Sequence, residues 1–112
     1  MKRHILTLWL SICLALGSFG IGWSGDFQKG VNAYEKGDYA TALKEWTPFA
    51  DQGHAKAQYN LGVAYANGEG VFQDYKTAVK WYILSAEQGN AKAQYNLGIM
   101  YDNGKGVLQD YV

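Results

Sequence analysis

Cysteine, arginine and proline each occur once in the 112 residues, as Cys13, Arg3 and Pro48. Cys13 lies in a leading apolar run, so the body of the chain holds no disulfide, thiol nucleophile or thiolate metal ligand. Arg3 precedes that run, and a body without arginine lacks the planar fork that grips phosphates and base edges. Beyond residue 24, eight lysines stand against ten acids, a net charge near −2, and this balance argues against a nucleic-acid partner. Serine is scarce as well: past Gly25 only Ser85 remains, and His54 is the single histidine of the body. With no hydroxyl or thiol nucleophile placed beside a base, the chain is expected to catalyse nothing and to need no cofactor.

The first residues read as an address. Lys2, Arg3 and His4 precede an apolar run from Ile5 to Leu16, and Gly17, Ser18, Gly20, Gly22 and Ser24 follow. This is the charged, apolar, then small-residue order of a secretory signal. The run falls short of the ~20 residues that span a bilayer, although continuing it through Trp23 gives an uncleaved anchor as the alternative. Residues 1–24 are therefore expected to be a signal peptide cut after Ser24. The mature chain would be periplasmic or secreted, or else anchored in the inner membrane facing the periplasm, and would meet the membrane only through this segment.

The body repeats. AKAQYNLGVAYANGEGVFQDYK at 55–76 lies over AKAQYNLGIMYDNGKGVLQDYV at 91–112 with 16 of 22 positions identical. The offset is 36 residues, and it also links the stretch from Asp38 to Trp46 with that from Asp74 to Tyr82. A fixed period of this length marks a stacked array. In one unit, Ala57, Leu61, Ala64 and Tyr65 make a helical stripe that Asn67-Gly68 stops. A second stripe through Tyr75, Ala78, Val79, Tyr82 and Ala86 follows the cap candidate Asp74 and ends at Gly89. Residues 55–90 thus read as a helical hairpin, and 91–112 as the first part of another.

Residues 26–54 form a degenerate first hairpin, with Phe27, Val31 and Tyr34 on one stripe, Gly37 at the turn, Asp38 as a cap, and Pro48 expected to kink the second helix. An atypical end unit suits an array that needs a cap. Asp26, Asp38, Asp74 and Asp110 all fall at helix starts and read as caps, so no metal site is expected from them. His54 matches Asn90 in the period and is expected at a helix start or in solvent. The Gly-x-Gly stretches Gly68 to Gly70 and Gly104 to Gly106 lack the strand-loop-helix setting of a phosphate loop and read as turns. Gly62 and Gly98 lie inside helices, where glycine costs about 1 kcal/mol against alanine, so close helix approach is expected to offset the loss.

A-x-A-Q-Y-N-L-G-x-x-Y-x-x-G-x-G-V-x-Q-D-Y, followed by A-V-K-W-Y and A-E-Q-G, resembles the Sel1-like repeat family, the longer-turn relatives of tetratricopeptide repeats, here of the exported bacterial type. The first hairpin, with its tight Gly37-Asp38-Tyr39 turn, looks more like a tetratricopeptide unit. The resemblance implies an all-α solenoid of helical hairpins, a right-handed superhelix of about five helices after the leader. It also implies a concave face that receives a protein or peptide segment. Asn60 and Asn96 would hold its backbone, flanked by Gln58, Tyr59, Gln94 and Tyr95. The implied function is that of a scaffold or adaptor in the cell envelope, with regulation of an envelope enzyme as the alternative. A lactam-binding or lactam-hydrolysing activity is associated with cysteine-rich exported relatives, and those cysteines are missing here. The register stops at Val112, where the second helix of the third unit would begin. The face carrying Leu97 and Tyr101 is therefore expected to be partly uncovered and open to self-association, unless another chain or residues absent here cover it, and the chain reads as C-terminally truncated from a longer array.

Overall fold

A computed structural model describes residues 25–107. The expected leader, Cys13 and the cap candidate Asp110 lie outside the described residues. Among the described residues there are five helices and no strands: α1 (Phe27–Glu35), α2 (Tyr39–Asp51), α3 (Ala55–Asn67), α4 (Tyr75–Glu87) and α5 (Ala91–Asn103). None of these helices is long and apolar enough to cross a membrane.

Each helix starts on a side chain that accepts from an otherwise orphaned backbone N–H of the first turn. Asp26 accepts from Lys29, Asp38 from Thr41, His54 from Ala57, Asp74 from Thr77 and Asn90 from Ala93. His54 is therefore a cap, acting through Nδ1 at 3.0 Å, in the role that the Asn90 side chain fills 36 residues later at 2.9 Å. The first helix of each longer unit ends on a left-handed glycine, Gly68 at φ 70° and Gly104 at φ 63°, a conformation that a side chain would strain. Pro48 sits inside α2, yet the helix runs on to Asp51.

Every helix packs on the next, and α3 also touches α5, so the hairpins stack as a solenoid. Two apolar clusters result. Trp46, Leu43, Ala42 and Ala50 of α2 meet Ala57, Leu61 and Ala64 of α3 in the first. Tyr82, Val79 and Ala78 of α4 meet Ala93 and Met100 of α5 in the second, with Tyr59 and Val63 of α3 packed against it. Trp46 and Tyr82 are each 3% exposed, and burying a side chain of that size contributes about 2 kcal/mol.

The hairpins close by one device. A Cβ on Gly62 would come within 2.5 Å of Tyr82 Cε1, and one on Gly30 within 2.7 Å of Trp46 Cδ1. Glycine lets each first helix approach an aromatic ring of the second, which accounts for Gly62 inside a helix. The two glycines are 32 residues apart, because the first hairpin lacks the four-residue Gly-x-Gly-Val insertion. At Gly98 a Cβ would meet nothing within 4 Å, so the close approach expected there is not found among the described residues.

Candidate interaction surface

The six side chains singled out for partner binding fall on equivalent turns of α3 and α5, but their surroundings differ. Gln58 is 4% exposed. It donates to the Ala50 carbonyl at 3.2 Å and accepts from the Gln88 amide at 2.8 Å. This corrects the sequence expectation: the Gln58 amide is spent joining α2, α3 and the end of α4, and it faces no partner. Gln94 repeats the first bond, donating to the Ala86 carbonyl at 3.1 Å, but it is exposed.

Tyr59 is half-buried, its ring 6.0 Å from that of Tyr82, whereas Tyr95 at the same place in the next unit is 71% exposed. Asn96 is half-buried and donates to the Tyr82 hydroxyl at 3.4 Å. Burial pushes that phenol's pKa above its ordinary value, and the bond from Asn96 opposes the shift. Asn60 is half-buried and its side chain bonds to no described residue. An asparagine amide can donate and accept at once, as a peptide backbone requires.

The turns are held by contacts that the repeat pattern alone does not reveal. Glu69, in the turn after α3, accepts from the Tyr34 hydroxyl of α1 at 3.0 and 3.1 Å and so ties two units together. Burial first, then the Glu69 carboxylate, push the Tyr34 pKa up to about 12. The equivalent turn residue is Lys105, whose ammonium lies 5.3 Å from the centre of the Tyr75 ring. The second glycines rest on the start of the preceding second helix: a Cβ on Gly70 would reach 3.0 Å from Tyr39, and one on Gly106 2.5 Å from Tyr75.

Groups with catalytic potential are engaged in structure. Ser85 is fully buried and donates to the Ala55 carbonyl at 2.6 Å. His54 caps α3, its ring packed against those of Phe27 and Phe49. Asp38 and Asp74 accept from the threonine three residues on, and those bonds lower both carboxyl pKa values. Among the described residues, no three of His, Cys, Asp and Glu gather where they could hold a metal ion.

Sequence reasoning missed Gly30 and the inward turn of Gln58. A four-residue gap in the alignment would have found the first. The second had a signal too, since Gln58 stands beside Ala57 and one turn before Leu61, on the arc that faces α2.

Two solved structures share this architecture. A protective antigen of uropathogenic Escherichia coli with an SLR fold is 43% identical at a TM-score of 0.70, over 75% of this chain and 19% of its own. A Sel1 repeat protein from Oxalobacter formigenes is 34% identical at a TM-score of 0.72, over 76% of this chain and 35% of its own. The chain thus spans about a fifth and about a third of these relatives' lengths. No curated protein gives a significant match. The Sel1 repeat matches residues 55–90 and 91–112, and with the fold above it follows that the chain belongs to the Sel1 repeat family, whose repeats are typically non-catalytic scaffolds for protein interaction.

Proposed function

We propose that this chain is a non-catalytic adaptor of the cell envelope that holds an extended peptide or protein segment on the face where α3 and α5 present Asn60 and Asn96. The observation that carries the proposal is the Asn60 amide, half-shielded yet bonded to no described side chain or backbone group. Its polar atoms are open to solvent, so this amide has both a donor and an acceptor to offer. Asn96 repeats the position on α5, and its one bond, at 3.4 Å, is long enough to yield to a better acceptor. Gln94 and Tyr95 stand exposed beside it, and the Tyr59 ring is anchored from behind by Tyr82.

The leading Lys2-Arg3-His4 and apolar run support export, as does similarity to a protective antigen. The test is affinity capture from an envelope fraction with the native chain and with an Asn60→Ala/Asn96→Ala pair. The pair should keep its helicity and lose its captured partner. An unchanged capture pattern would exclude this face, and an exported form that still begins at Met1 would exclude cleavage of the leader.

A further inference from the structure

Glu45 is a carboxylate where the repeat has a ring. It is only 7% exposed, and the residue one period on, at position 81, is a tryptophan. A buried charge has to be paired, and the pairing of this one is partial. Its Oε2 accepts from the Asp26 backbone N–H at 2.6 Å, whereas the Lys29 ammonium, on a side chain mostly in solvent, stands 3.6 Å from Oε1. A well-made bond between such groups measures about 2.8 Å. The carboxylate therefore has acceptor capacity in hand.

Gly25 is fitted against the same residue. A Cβ there would run into the Glu45 carbonyl oxygen and stand 3.2 Å from Phe49 Cε2. The Gly25 nitrogen is three bonds from that of Asp26, no more than about 3.7 Å away. Asp26 is itself tied down twice, its N–H by Glu45 and its side chain as the cap of α1.

We infer that Glu45 is the seat of the α-ammonium that removal of the leader sets free on Gly25, so that the cut completes the ion pairing of the first hairpin. The inference rests on the reading of residues 1–24 as a leader cut after Ser24. Hydrolysis of the Ser24–Gly25 peptide adds one water across the bond and leaves a carboxylate on Ser24 and an ammonium on Gly25. Before the cut, the Gly25 nitrogen is an uncharged amide. After it, a cation stands within a few ångströms of a shielded carboxylate, where attraction is stronger than in open water.

The same contacts fix where the folded body starts. A cut several residues earlier would put the ammonium on a tail and leave an uncharged amide at Gly25, and a cut after Gly25 would remove the fitted glycine.

The experiment takes the full chain through export in a bacterial host, purifies the mature form and treats it with a limiting amount of an amine-acylating reagent near neutral pH. Peptide-mapping mass spectrometry reads both the first residue and the rate of its acylation. The first residue should be Gly25, and it should acylate about tenfold more slowly than in Glu45→Gln, because a paired ammonium surrenders its proton less readily. The exposed Lys92 should react equally in both chains and serves as the internal reference. Glutamine keeps an oxygen for the Asp26 N–H, and circular dichroism checks that the variant folds. Should it not, a free peptide of residues 25–30 supplies the unpaired rate. A mature chain that starts at any other residue overturns both the inference and the cut after Ser24. A chain that starts at Gly25 yet acylates as fast as the peptide or as Glu45→Gln overturns the inference alone.

Discussion

The ring of Tyr82 lies against the backbone of α3 at Gly62, so close that an added Cβ would stand 2.5 Å from its Cε1. The identical helical glycine 36 residues on, Gly98, meets nothing within 4 Å. One residue type in one local sequence therefore has opposite energetic meaning at the two sites.

Gly62→Ala is expected to destabilise the chain by about 1–3 kcal/mol, because the overpacking at Tyr82 outweighs the gain in helix propensity. Gly98→Ala is expected to stabilise it by up to about 1 kcal/mol. Urea denaturation of the two variants side by side checks both signs. Equal shifts would show that Tyr82 can swing away freely.

Gln58→Ala removes a buried donor from the Ala50 carbonyl, which keeps its bond from the Gly53 N–H, and an acceptor from the exposed Gln88 amide. The loss of these bonds should cost about 0.5–1.5 kcal/mol, against less for Gln94→Ala on the exposed side. Thermal melts of both single variants measure the difference.

His54→Ala removes the cap of α3 and should cost about 1 kcal/mol, whereas His54→Asn should be close to neutral, since Asn90 performs the same task at the start of α5. A loss for His54→Asn equal to that for alanine would mean that packing against Phe27 and Phe49, and not the cap, is the role of the ring. Chemical denaturation decides.

Tyr34 and Asp74 set opposite ends of the pH profile. With its pKa raised to about 12 by burial and Glu69, the Tyr34 phenol favours folding in full below the ordinary 10 and loses that contribution as pH climbs towards 12. Tyr34→Phe should flatten the alkaline limb and remove a late-ionising tyrosine from an ultraviolet titration. The Asp74 carboxyl, lowered by its bonds to Thr77, contributes above the usual carboxylate range and loses the contribution as pH falls through its folded value. Asp74→Asn should flatten the acid limb of melting temperature against pH.

Much of the solenoid was legible in the sequence because its signals are local. The 36-residue period, the stripe of Ala57, Leu61 and Ala64, the caps Asp38 and Asp74 and the stops at Gly68 and Gly104 each follow from chain geometry within one or two turns. The site was less legible. Gln58 and Asn60 are both amides two residues apart; the arc of Ala57 and Leu61 hints that the first turns inward, but the bonds it makes there depend on where α2 and the end of α4 lie. The tie from Tyr34 to Glu69 spans 35 residues and has no counterpart at Lys105, so no repeat comparison could announce it.

α3 belongs to both apolar clusters, giving Ala57, Leu61 and Ala64 to one and Tyr59 and Val63 to the other. In a quasi-one-dimensional array, each element is coupled to the rest only through its neighbours. The central helix is thus the hinge of cooperativity: were it to melt, the hairpin before it and the pair after it would lose their common seat in the same event. Its amides should accordingly exchange with solvent at the rate of global opening, while those of α1 and α5 exchange through local fraying.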